Sequence, residues 1–231
     1  MIRQLLKYNI VNYLFWPAFR YLPVLFLFFF FAIASAQGRT DVAMVTALQG
    51  KADLITPQGM QALQPFSRLK RGDQIALDSQ ALKVIFFESG RQEIWQGTGK
   101  IEILDTESRG LGLSHPDVKV LPGFMVRQIA KTPSTGATSR NGNSRLRSIE
   151  GGGSLERIEE SYRRMRKEAD QGDLNPELFL LSALFEIREI ARVEQVLADL
   201  RMSHPADQEA RVVISLYQKA LRNMKEGGAK P

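Results

Sequence analysis

His115 and His204 are the only two histidines in 231 residues, and acid–base or metal chemistry near neutral pH would normally start from that side chain. Each stands beside a proline, Pro116 and Pro205, in a stretch that reads as a turn, and neither has a second histidine at metal-ligand spacing. They read as structural or exposed rather than as ligands. Serines and carboxylates are plentiful, yet no serine lies in a Gly-x-Ser-x-Gly elbow, and neither His-Glu-x-x-His nor Gly-x-x-x-x-Gly-Lys occurs. Gly97-Thr98-Gly99 is too short for a dinucleotide fingerprint and has no helix after it, so it reads as a tight turn between strands. Trp95, on an expected hairpin, could line a ligand face, but a tryptophan in a small β domain more often fills the core. Arg163-Arg164 and Arg166-Lys167 lie among glutamates on one helical stretch and read as a solvated, salt-linked face. The chain has no cysteine, which excludes disulfides, thiolate metal sites and thiol catalysis. No catalytic, metal-binding or cofactor-binding residue is assigned, and the expectation is a protein that is not an enzyme.

The elements around these residues begin with a leader. Arg3, Lys7 and Arg20 precede an apolar run from Val24 to Ala34, and no acidic residue occurs before Asp41. Ala34-Ser35-Ala36 then supplies small side chains three and one positions before a break. These are the three parts of a secretory signal peptide, with cleavage after Ala36 and Gln37 as the first mature residue. The run is short beside the roughly 20 residues of a membrane-crossing helix, so no stable membrane insertion is expected after cleavage. The large apolar residues between Tyr8 and Phe19 leave an uncleaved inner-membrane anchor as the alternative. Without a cysteine there is no lipid attachment site behind the leader, and a bacterial periplasm is the expected compartment. The formal charge of +6 falls to +3 once Arg3, Lys7 and Arg20 are removed, an ordinary surface balance with no nucleic-acid footprint.

Residues 41–131 read as an all-β domain of short strands. Lys100 and Glu102 alternate with Ile101 and Ile103, giving one wet and one buried face. In the run Ala81 to Phe87, Leu82, Val84 and Phe86 fall on one side and Ile85 and Phe87 on the other, as in a central strand buried on both faces. Pro57-Gln58-Gly59, Lys70-Arg71-Gly72-Asp73 and Glu88-Ser89-Gly90 read as turns. Such spacing suggests a small sandwich or barrel. The order of features resembles the periplasmic FecR-type domain. A strand Val45 to Leu48 is followed by Gly50-Lys51-Ala52, then Leu63, Phe66 and Leu69-Lys70-Arg71-Gly72-Asp73. Ser79 and Leu82 to Phe87, Gly90, Ile94 and Ile101 to Leu104 complete it. Gly50, Leu69, Gly72, Asp73 and Gly90 carry the motif. The resemblance implies a domain outside the inner membrane. In FecR regulators it relays an iron–siderophore signal to a cytoplasmic region that controls a sigma factor. No such region is recognisable ahead of Val24, so the domain carries over rather than the sigma-factor role.

Residues 132–153, with Pro133, Gly136, Gly142, Gly151-Gly152-Gly153 and Arg140, Arg145 and Arg147, read as a basic Gly/Ser/Arg linker. Arg145 to Ile149 could instead add a last strand to the β domain. From 154 to 226 the period is helical. Leu155, Ile158, Tyr162 and Met165 mark a first helix, and Asn175-Pro176 opens a second with asparagine as cap, carrying Leu178, Leu181, Leu184 and Phe185. Val193, Val196, Leu197 and Leu200 mark a third, and Ala210, Val213, Leu216, Tyr217 and Ala220 a fourth, after His204-Pro205-Ala206-Asp207. Short connections make them antiparallel hairpins. Leu180 to Phe185 and the His-Pro-x-Asp punctuation resemble a degenerate tetratricopeptide array of about one and a half repeats, fewer than the three that stack stably alone.

The expected fold class is therefore α+β in separate halves: a small FecR-like β domain followed by a tetratricopeptide-like helical domain. Function reads as an exported, non-catalytic binding or scaffold protein with no cofactor. The alternative is a membrane-anchored envelope signalling regulator resembling FecR. Its partner would be an envelope protein or a cell-wall component rather than nucleic acid. Leftover apolar helix faces, with Leu178 exposed among them, would be covered by the β domain, a second copy or a foreign protein.

Overall fold

A computed structural model of the chain describes residues 40–57, 59–134 and 155–227, all within one compact unit, Thr40–Pro231. Ala34, Ala36 and Gln37, and residues 135–154, which hold most of the expected linker 132–153 and its candidate strand, lie outside the described residues.

Among the described residues seven strands come first: β1 (Asp41–Thr56), β2 (Gly59–Ala62), β3 (Arg68–Lys70), β4 (Gln74–Phe86), β5 (Arg91–Ile103), β6 (Ser108–Leu111) and β7 (Asp117–Val120). Five helices follow: α1 (Gly123–Ile129), α2 (Leu155–Glu168), α3 (Asn175–Glu186), α4 (Ile190–Ser203) and α5 (Gln208–Gly227). The class is α+β, with strands preceding helices along the chain. The pairings between these strands are antiparallel.

The short strands read from sequence are halves of three long, bent ones. β1, β4 and β5 run 16, 13 and 13 residues, and β4 lies between the other two. The first part of β1 pairs with β3 and the end of β4, whose other neighbour is the start of β5, itself flanked by β7. The second part of β1 pairs with β2 and the start of β4, and the end of β5 with β6. Register shifts between Val45 and Ala47, Gln49 and Gly50, and Ser79 and Leu82 mark the bends. A bulge adds a residue without ending the ladder, so it re-aims the side chains beyond it. Accordingly Ile75 and Leu77 point inward before the β4 bulge, and Leu82, Val84 and Phe86 after it, all into one apolar cluster with Ala43, Ala52, Ile101 and Ile103.

Gly97-Thr98-Gly99 is therefore not a turn. It pairs residue by residue with Ser79, Asp78 and Leu77 inside β5, where a Cβ on Gly99 would stand 2.6 Å from Leu113 Cγ. Local sequence reads the two glycines as a break because it does not show that the ladder continues through them.

The other face of the sheet is where the helices sit. Met44, Ile85 and Phe66 share an apolar cluster with Met125, Val126 and Ile129 of α1 and with the buried residues of α2 to α5. The two halves, separate in the sequence reading, thus share a core. β4 is buried on both faces, as its apolar run requires. Phe66 enters this core on a left-handed backbone (φ 62°), its N–H bonded to Val45 O at 2.7 Å. α3 is buried from Asn175 through Leu184, its apolar residues spread around the helix and its polar Asn175, Glu177 and Ser182 buried and hydrogen-bonded. Leu178, expected from sequence to be exposed, is fully buried. It belongs to the apolar cluster that the helices share with Met44, Phe66 and Ile85. Thr132, placed in the linker by sequence, is also fully buried, because the end of α1 tucks under α3.

Candidate functional site

The residues on which the expected FecR resemblance rests, Gly50, Leu69, Gly72, Asp73 and Gly90, lie apart along the sheet and build structure. Gly50 lies at the β1 register shift. Leu69 of β3 is fully buried in the inner cluster. Gly72 and Asp73 form the turn into β4: Asp73 Oδ2 accepts from Lys70 N at 2.8 Å, and Gly72 N donates to Ile103 O at 2.8 Å. Gly90 closes the β4–β5 hairpin, with its O accepting from Leu121 N at 2.9 Å. These five residues do not converge on one surface. Gly72, Asp73 and Gly90 set turns, Gly50 marks a bend within a continuing ladder, and Leu69 fills the core.

Trp95 is a core residue, and it brings with it a carboxylate that sequence reasoning missed. Glu93, on β5, is fully buried. It accepts from Arg91 Nε at 2.6 Å, Trp95 Nε1 at 3.0 Å, Ser108 N at 3.3 Å and the Ser108 hydroxyl. Four donors compensate the desolvation that an isolated buried carboxylate could not bear. Glu93 stands three residues before Gln96 in an alternating stretch, and the only signal of its burial is the nearby Trp95.

The remaining strongly placed polar groups cross from sheet to helices, with the cation on the sheet side or on α1 and the acid on the helical side. Lys83 of β4 meets Glu209 of α5 at 3.1 Å, Lys119 of β7 meets Asp173 before α3 at 2.8 Å, and Lys131 after α1 meets Glu186 of α3. Gln128 adds a 3.0 Å bond to Glu186. Burial pushes the Asp173 carboxyl up, but Lys119, the Asn175 N–H and Lys83 outweigh it and hold it below the ordinary carboxylate value. Glu186 balances the same way: burial raises it, and the bonds from Lys131 and Gln128 bring it down. Glu209 differs. Its burial outweighs Lys83, and its carboxyl is raised.

Uncharged groups complete the seam. Asn175 does not cap α3 with its side chain: Leu174 is the N-cap, Asp173 Oδ1 takes the Asn175 N–H at 3.0 Å, and the Asn175 amide donates to Gln92 of β5 instead. Thr132, Ser182 and Tyr217 form a buried hydroxyl chain of 2.8 and 2.7 Å. Burial pushes the Tyr217 phenol up to about 12. On α2, burial and Glu177 likewise raise Tyr162 to about 12, and Arg166 bonds Glu177 at 3.0 Å. Arg166 is thus part of the fold rather than of a solvated run.

His115 is exposed. His204 ends α4, its ring in contact with Ser203 Oγ at 2.8 Å and Gln171 O at 3.3 Å. Among the described residues no group of three or more His, Cys, Asp or Glu side chains is placed to hold a metal, and no helix is long and apolar enough to cross a membrane. Comparison with protein-family models, with curated proteins and with solved structures yields no match.

Proposed function

We propose that this is an exported envelope protein that acts by binding rather than by catalysis, with a FecR-like β domain and a tetratricopeptide-like helical layer forming one scaffold. One observation supports the reading above the others. The acids and phenols with displaced pKa values (Asp173, Glu186, Glu209, Tyr162 and Tyr217) are distributed along packing seams and bonded to neighbours there. Catalytic groups are tuned in clusters around a shared cleft; these are shifted first by burial and then by the neighbours that pack helix on helix and helix on sheet, Lys83 acting on both Asp173 and Glu209. The leader, with its Ala34-Ser35-Ala36 signal, supplies the address.

Fractionation of producing bacteria, with intact-mass measurement, tests the address: the protein should be periplasmic and begin at Gln37. Recovery in the inner membrane with Met1 or the basic leader still attached would overturn it in favour of the anchored regulator. Binding is tested by affinity capture from the native envelope. A saturable envelope partner is the expected result, and hydrolytic or transfer activity in the purified protein would sink the non-catalytic reading.

A further inference from the structure

Among the described residues, three of the six large apolar side chains that stand exposed, Val118, Val120 and Phe124, fall within seven residues at β7 and the start of α1. β7 pairs only with β5 among the described residues, so its other edge is open there. The register shows which groups that edge presents. Leu121 N donates to Gly90 O, and Gln92 lies opposite Lys119. Backbone direction alternates along an antiparallel strand. Lys119 and Leu121 therefore bond inward to β5, while Val118 and Val120 turn their N–H and C=O groups outward. Pro116, two residues earlier, also faces outward and has no N–H to leave unpaired.

We infer that this edge pairs with the β7 edge of a second copy, antiparallel, about a two-fold axis through Val118. The sequence Pro116-Asp117-Val118-Lys119-Val120 is self-complementary in that register. Val118 of each copy exchanges two backbone hydrogen bonds with its mate. Each Val120 N–H meets the Pro116 carbonyl across the axis, which asks nothing of the proline nitrogen. Asp117 stands opposite Lys119, whose ammonium meets Asp173 of its own chain at 2.8 Å yet whose side chain stays half-exposed, so that the lysine is shared between two carboxylates in an opposite-charge cross-strand pair. Centring the axis on Lys119 instead would set two lysines against each other, and centring it on Val120 leaves Asp117 without a cation. Opposite charges favour one register, and like charges penalise the nearest competitor. The contact is short beside the roughly 1,200–2,000 Å² of stable interfaces, so association is weak and concentration-dependent. It stands apart from the envelope-binding reading, whose test is localisation and partner capture.

The absence of cysteine gives a clean probe in the full chain. Residues paired across such an axis have Cα atoms about 5.5 Å apart, within disulfide range. Val118→Cys under mild oxidation should give a covalent dimer, at least tenfold more than Met202→Cys, a control at an exposed position of α4. Adding Asp117→Lys, which sets lysine against Lys119, should cut the dimer several-fold while leaving the thermal transition in place. A Val118→Cys yield no higher than the control would overturn the inference. So would a yield indifferent to Asp117→Lys, or an intramolecular bridge in Val118→Cys/Arg147→Cys, which would give the edge to the chain's own 145–149 segment.

Discussion

Asn175 Nδ2 donates to Gln92 Oε1 at 2.7 Å, joining α3 to β5 across 83 positions of sequence, and both side chains are buried. A polar pair in that position ties the sheet to its helical cover, because either partner alone would be stranded without water.

Asn175→Leu should therefore destabilise the protein by about 1–3 kcal/mol, the desolvation cost of an orphaned amide. Gln92→Leu/Asn175→Leu should be more stable than the two single losses added together. Urea titration of the three variants measures this. Strict additivity would show that the pair is not coupled.

Tyr8, Tyr13 and Tyr21 precede Gln37, so a chain cleaved as proposed above keeps two of the five tyrosines, Tyr162 and Tyr217. Both are raised from 10.0 to about 12. Ultraviolet titration of the mature protein should show no phenolate step near pH 10. The native state resists losing these protons more than the unfolded chain does. Their contribution to stability is thus complete below about pH 10 and lost as pH climbs through about 12. An ordinary step near pH 10 in the folded protein would contradict the burial of both rings.

At the acid end the sign reverses. Asp173 and Glu186 are held below their ordinary values, so the native state binds their protons less tightly. The stability they add is present above about pH 4 and lost as pH falls through their native values. Glu209, raised by burial, pulls the other way. Asp173→Asn should flatten the acid slope of unfolding free energy, and Glu209→Gln should steepen it. Identical slopes in both variants would refute this assignment.

Two motif glycines should differ in what they tolerate. Gly72 (φ +83°) has open space where an added methyl would stand, whereas at Gly90 (φ +69°) a Cβ would lie 2.7 Å from the Leu121 carbonyl. Gly72→Ala costs only the left-handed backbone, about 1–2 kcal/mol. Gly90→Ala adds a backbone clash in the hairpin and should lower the melting temperature further. Equal losses would mean that the Gly90 hairpin relaxes freely.

Periodicity alone was enough for several elements. Alternation at Lys100 to Ile103, the doubly apolar run ending β4 and the three-and-four spacing of Val193, Val196, Leu197 and Leu200 each name a face, because side-chain direction follows directly from local backbone geometry. The same information assigned α+β with strands first. What covers those faces is a long-range matter. Whether Gly97 and Gly99 end a strand depends on a partner ladder from β4, about twenty residues away. Whether Leu178 is wet depends on what packs over α3, and whether Glu93 is buried depends on donors as distant as Ser108. Asn175 followed by Pro176 looks locally like a cap, yet its amide finds Gln92 instead. Tertiary structure decided these points: a buried polar group goes wherever its hydrogen bond can be completed, and that place lies outside any local window of the sequence.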